Sequence, residues 1–134
     1  MTNIIPALAL ALFAVVSPPG QAHADNVRFQ LITPVSGPLD DDEVKSAFQH
    51  HLDGLRQCAA NDDFVKKNHR RLNGSVQYDI TISHGKVDEA RIHGSSWLTS
   101  PTDFPKCAKE QVVLKLTFSQ KDTPSHALVN VIVN

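Results

Sequence analysis

The stretch Ser75-Val76-Gln77-Tyr78-Asp79-Ile80-Thr81-Ile82 alternates polar with apolar side chains over its whole length. Successive side chains of a β-strand point to opposite faces of a sheet, so this stretch gathers its four apolar side chains on one face. The next residues, Ser83-His84-Gly85-Lys86, contain a glycine that suits a tight turn, and Val87 and Ile92 continue the apolar pattern beyond it. The sequence therefore predicts a β-hairpin with one buried and one solvated face.

A helix is predicted upstream of this hairpin. The acidic run Asp40-Asp41-Asp42-Glu43 supplies an N-cap and places negative charge at the positive end of a helix dipole. Apolar residues then recur at helical spacing and form one stripe along a helix that ends near residues 58–60: Val44, Phe48, Leu52, Leu55 and Ala59. Gly54 lies inside this helix and costs about 1 kcal/mol relative to alanine, so tertiary packing must stabilise the helix.

A second helix is predicted after the hairpin, from about Pro105 to Lys115, since proline is tolerated in the first turn of a helix. The alternating or β-branched residues at 27–31 and 128–133 predict strands at both ends of the domain. The predicted order is strand, helix, hairpin, helix, strand. Two helices that cover one face of a small antiparallel β-sheet would each bury an apolar stripe, so we expect an α+β fold of two layers.

A polar stretch at residues 61–71 connects the first helix to the hairpin. It holds four basic side chains close together: Lys66, Lys67, Arg70 and Arg71. Its composition favours a solvated connection over a dedicated anion site.

The N-terminal residues 1–24 have the pattern of a cleavable secretory signal peptide. Residues 4–16 are apolar and uncharged, and Ala22-His23-Ala24 offers small residues at the alternate positions that signal peptidase requires. The apolar run is too short to span a bilayer as a helix. We therefore expect cleavage after Ala24 and a single domain at residues 25–134, with no stable membrane anchor, located in the periplasm or alternatively secreted.

The two cysteines, Cys58 and Cys107, are expected to form a disulfide, because an exported protein meets an oxidising compartment. A catalytic or metal-binding thiol pair is disfavoured, since the sequence has no Cys-x-x-Cys or Cys/His ligand spacing. The 13 basic and 14 acidic side chains nearly balance, so electrostatic binding to nucleic acid is not indicated.

Metal and catalytic motifs are not evident elsewhere in the sequence. His50 and His51 are adjacent and would diverge on a helix, and the remaining histidines of the domain fall in separate loops or strand ends, so surface histidines explain them better than a metal site. The sequence also has no Gly-x-Ser-x-Gly nucleophile elbow. We expect a protein that is not an enzyme and needs no cofactor.

Several of these motifs together resemble the TonB C-terminal-like domains, specifically the AgmX/PglI C-terminal subgroup. The shared pattern runs from a Leu-Arg-x-Cys helix end to a Phe before the last strand, and stands here as Leu55-Arg56-Gln57-Cys58, Leu72-Asn73-Gly74, residues 76–82, Gly85-Lys86-Val87, Ser95-Ser96-Trp97-Leu98, Cys107 and Phe118. The resemblance covers about residues 43–133. It implies an α+β fold that binds an extended segment of an envelope protein or peptide along a sheet edge.

Two places are candidates for that partner site. The C-terminal strand lacks the usual devices that protect an edge: Leu128, Val129, Asn130, Val131, Ile132 and Val133. It either binds the partner or pairs within the fold, with residues 119–126 or with the strand at Val27. Trp97 is either a core side chain or an exposed anchor.

The sequence is compatible with three functions. The resemblance favours a periplasmic protein-binding or peptide-binding module, accessory to an envelope complex. The alternatives are a secreted effector or inhibitor that presents Trp97 and the basic side chains of residues 66–71, and a small hydrolase.

Overall fold

The computed structural model describes residues 26–134, so the predicted signal segment at residues 1–24 lies outside the described residues. Four strands form one antiparallel sheet in the order β1-β4-β2-β3: β1 is Val27–Leu31, β2 Gly74–Ser83, β3 Lys86–Trp97 and β4 Ser125–Val133. The predicted hairpin is β2–β3, and its two turn residues, His84 and Gly85, both have positive φ (52° and 80°). Positive φ at both positions is what a two-residue hairpin turn requires.

The helices differ in part from the prediction. They are α1 Asp41–Gln49, α2 Leu52–Ala60, α3 Asp63–Asn68 and α4 Phe104–Gln111, followed by a 3-10 turn at Val113–Lys115. The prediction of one continuous helix to residue 60 is wrong, because the chain breaks between α1 and α2 at His50 and His51. The Nδ1 atoms of these two rings lie 2.9 and 2.8 Å from the carbonyl oxygens of Ser46 and Ala47, so the side chains engage carbonyls of the last turn of α1.

Two further differences from the prediction concern where the helices lie. Helix α4 ends at Gln111, whereas the prediction extended it to Lys115, and the chain tightens into the 3-10 turn at that point. The polar stretch at residues 61–71, predicted as a connection, contains the short helix α3. Helical spacing alone could not reveal α3, because it has no apolar stripe.

The core lies between the helices and one face of the sheet, as predicted. The four apolar side chains of the alternating strand are all buried on that face: Val76, Tyr78, Ile80 and Ile82. Helices α1, α2 and α4 contribute Phe48, Leu55 and Phe104, each fully buried. Gly54 has a packing role here, because a Cβ on it would lie 3.0 Å from Val112 Cγ2, so glycine lets α2 approach the end of α4 closely.

The disulfide between Cys58 and Cys107 is present and joins α2 to α4 with a Cα–Cα distance of 5.7 Å. The α+β architecture with this covalent link between helices therefore agrees with the expectation. Within residues 26–134, none of the helices combines the length and the apolar character that crossing a membrane requires.

Candidate functional site

The C-terminal strand is an interior strand of the sheet. Of the two alternatives for residues 128–133, pairing within the fold is the one observed: β4 pairs with β1 on one side and with β2 on the other. Val129, Val131 and Val133 are buried in the core. Because both rows of backbone groups already have partners, an added strand cannot pair with β4, and the idea that this strand is an open edge is wrong.

The two strands at the margins of the sheet are β1 and β3. Strand β1 has five residues, whereas β3 has twelve. At the start of β3, Lys86 forms a bridge with Thr117, and the N–H of Phe118 donates to the carbonyl of Gly85 at 2.9 Å. Among the described residues, no segment pairs with the outer edge of β3 beyond this point, so residues 89–97 present unpaired backbone groups.

The register of β3 is interrupted twice by bulges. Tyr78 lies opposite Ile92 and Gln77 opposite Gly94, which leaves His93 without a partner on β2; Asp88 is left out in the same way nearer the turn. A bulge bends an edge strand and increases its local twist, and it re-aims the side chains around it. The free part of β3 is therefore an irregular edge, which limits unselective pairing with other strands.

This edge carries apolar side chains on the helix-covered face of the sheet. Ile92, Ser95 and Trp97 lie on that face, opposite Tyr78, Val76 and Gly74 respectively. Ile92 is 49% exposed although its neighbours are in the core, and Leu98, the residue after the strand, is 84% exposed. The outer edge of β3 thus offers unpaired backbone groups together with unburied apolar surface.

Trp97 combines both roles considered for it. Its ring meets that of Phe104 edge-to-face with the centroids 6.0 Å apart, and the residue is only partly buried. Gly74 faces it across the hairpin, and a Cβ at that position would overlap Ser96 O and the indole ring. Trp97 is therefore packed at the margin of the core with part of its surface accessible. It lies on β3, so the sheet does not place it beside residues 128–133.

The loop after Trp97 is held firmly. The N–H of Leu98 donates to the carbonyl of Asn73 at 2.9 Å, and the N–H of Asn73 donates to Thr99 Oγ1 at 2.8 Å. These bonds tie the end of β3 to the start of β2. The exposed side chain of Leu98 is consequently presented from a fixed backbone.

Asp62 is the residue that fixes this region most strongly, and sequence reasoning missed it. Its carboxylate is fully buried and accepts hydrogen bonds from the backbone N–H groups of Phe64, Thr102, Asp103 and Phe104, at 2.6–3.0 Å. One side chain thus caps the N-terminus of α3 and also the N-terminus of α4. The acid-to-base order from Asp62 to Lys67 is a helix-start signal that could have indicated the first of these roles.

Tyr78 ties the sheet to α4 from the other side. Its phenol donates a hydrogen bond to the carbonyl oxygen of Pro105 at 2.7 Å, and burial raises the pKa of Tyr78 above its ordinary range. The raised pKa has a structural cause, and the group faces the core and not a cleft.

The opposite face of the sheet carries polar side chains and one shallow cleft. The cleft has a volume of about 210 Å³ and is lined by Asp79, His93 and His126, among others. Asp79 is half-buried, and its carboxylate lies 3.7 Å from the guanidinium of Arg91. Within residues 26–134, no three His, Cys, Asp or Glu side chains converge as metal ligands would.

Comparison of the chain with protein-family models, with curated proteins and with solved structures finds no match in any of the three.

Proposed function

We propose that this protein is a periplasmic module, without enzymatic activity, that binds an extended segment of an envelope protein along the free edge of β3. The observation that carries the proposal is the conjunction, in residues 91–98, of unpaired edge backbone and exposed apolar side chains. Backbone hydrogen bonds would supply affinity in such an augmented sheet, and the side-chain contacts would supply selectivity.

The pattern on β3 specifies the partner segment. An added strand would lie against Ile92 and Trp97 on one face, with the small Ser95 between them. Side chains that share a face recur every second residue, so apolar side chains about four residues apart on the partner would contact Ile92 and Trp97. A small side chain between them would face Ser95.

Strand β1 is the weaker candidate for this role. It is shorter than β3, and its outward-facing side chains include the exposed Arg28 and Gln30. Its larger apolar side chains, Phe29 and Leu31, are partly buried against the core, and Phe29 packs on Phe48 with ring centroids 5.6 Å apart. This edge therefore has less apolar surface with which to select a partner.

The periplasmic location rests on the signal-like residues 1–24 and agrees with a disulfide, which forms in an oxidising compartment. The second candidate is a secreted effector or inhibitor that uses Trp97 and residues 66–71 together. It is favoured by one observation: Asn73, two residues after Arg71, hydrogen-bonds to Leu98, so the basic segment and the end of β3 lie at the same end of the sheet.

Site-specific photocrosslinking tests the proposal on the full chain in the cell envelope. A photoreactive residue at position 92 should capture a partner, and one at position 32 should not, although Ile32 is also exposed, at 38%. Binding should also protect the amides of residues 91–97 from hydrogen exchange, with β1 unchanged. Fractionation of the cells and medium then separates the two candidates.

A matched pair of substitutions supplies the control. Ile92→Lys places a charge on the β3 edge and should abolish crosslinking from position 98, whereas Ile32→Lys makes the same chemical change at the other side of the sheet and should leave it intact. Equal crosslinking in the two variants would rule out the β3 edge as the site.

A further inference from the structure

A cluster of cationic side chains, residues 66–71, lies outside the site proposed above. It contains Lys66, Lys67, Arg70 and Arg71, with His69 between them in the chain, and all five residues are exposed. The ion pairs among residues 26–134 involve Arg56 and Arg91 and none of the cluster. The positive charge of this segment therefore has no carboxylate within ion-pair distance in the described part of the chain.

The nearby acidic side chains form no ion pair with the cluster. Asp62 and Asp63 stand at the opposite end of α3 from Lys66 and Lys67. The carboxylate of Asp62 is also buried and occupied by four backbone N–H groups.

The chain folds part of this cluster around a cavity. Helix α3 ends at Asn68, and the next residue, His69, adopts the left-handed conformation (φ 54°) and donates its N–H to the carbonyl of Val65 at 2.9 Å. Glycine or asparagine is the usual residue at such a helix end. The reversal brings His69, Arg70 and Arg71 together with Val65 as the lining of a cavity of about 320 Å³.

The chemistry of this lining selects an anion. Two guanidinium groups offer planar forks of N–H donors that match the oxygens of a phosphate, and His69 adds a further ring nitrogen. The volume lies within the range of small-molecule sites. We propose that this cavity binds a phosphate group, carried by a small phosphorylated solute or by a phospholipid headgroup.

Titration of the full chain with inorganic phosphate, followed by NMR, tests this proposal, with sodium chloride at matched ionic strength as the reference. Saturable shifts should centre on residues 65–71. The double variant Arg70→Gln/Arg71→Gln should weaken binding about ten-fold or more. The variant Lys45→Gln/Lys121→Gln removes the same charge from exposed positions elsewhere and should change affinity less than about two-fold.

Vesicles separate the two sources of phosphate. Retention on phosphatidylglycerol vesicles that is absent on phosphatidylcholine and lost in the arginine double variant indicates a lipid headgroup; saturable phosphate binding without such retention indicates a soluble ligand. The proposal is overturned if phosphate produces no saturable shift, if the lysine control loses as much affinity as the arginine variant, or if a glutamate-rich peptide binds the cavity as tightly as phosphate.

Discussion

Replacement of Asp62 by alanine should be among the most destabilising single changes in this domain. The change leaves four backbone N–H groups without their acceptor, and one of them belongs to the fully buried Phe104. A hydrogen bond to a charged group contributes about 1.5–3 kcal/mol, and an unsatisfied buried donor costs about 1–3 kcal/mol. Water can reach the exposed Thr102 and Asp103, which offsets part of the loss. We therefore expect a decrease of about 3–5 kcal/mol in the free energy of unfolding.

Urea unfolding monitored by tryptophan fluorescence measures this loss directly. Trp97 is the only tryptophan and packs on Phe104, whose N–H is bonded to Asp62, so its emission reports on the affected region. Asp62→Asn should also destabilise, because an amide has one acceptor oxygen where the carboxylate has two. Asp63→Ala, at the exposed neighbour, should stay within about 1 kcal/mol of the parent. A value for Asp62→Ala as close to the parent as this control would refute the reasoning.

Three further predictions follow from the core and its covalent link. Because burial raises the pKa of Tyr78, the folded state holds the phenol proton more tightly than the unfolded state; stability should be unaffected by this group below about pH 10 and should fall as the pH rises above it. Ultraviolet absorbance of this lone tyrosine should show ionisation only together with unfolding, and a phenolate signal from the folded protein at pH 10 would contradict the assignment. Replacement of both Cys58 and Cys107 by alanine should lower stability by about 4 kcal/mol for a separation of 49 residues, as measured by chemical denaturation, whereas an unchanged midpoint would exclude that contribution. Gly74→Ala should cost about 1–3 kcal/mol and shift the emission of Trp97, since the new methyl group overlaps the indole; a neutral effect would show that the hairpin end is pliable.

The sequence predicted best the elements that have one buried face and one more exposed face. From Val76 to Ser83, strand β2 is buried on one face and half-buried on the other, so the alternation of its residues revealed it. The disulfide was predicted because the chain has two cysteines and a signal-like start. The turn at Gly85 was also predicted, because the residues of the turn themselves indicate it.

The features that escaped prediction depend on contacts between distant residues. The position of β4 in the middle of the sheet is set by pairing with β1, about one hundred residues earlier in the chain, and no local pattern encodes that choice. An interior strand and an open edge strand can have the same apolar composition. The sequence therefore left two alternatives for residues 128–133, and the observed pairing selects the interior position, whereas Trp97 lies on β3.

The role of Asp62 was not predicted for a related reason. Its partners at residues 102–104 lie about forty residues further along the chain. The helix that it caps is too short and too polar to leave a periodic signal. The break between α1 and α2 was missed because the apolar stripe continues across it: Phe48 and Leu52 are buried on both sides of the interruption.

The interior position of β4 also has a consequence for how the chain reaches its native state. Synthesis supplies β1 first and β4 last, yet β1 has no neighbour in the sheet until β4 is in place. Until β4, a strand of nine residues, has been made, β2 and β3 are the only strands of this sheet that can pair, and a two-stranded hairpin alone is marginally stable in water. The four-stranded sheet can therefore be completed only after β4 has been synthesised, and deletion of residues 125–133 should disrupt the sheet at its centre.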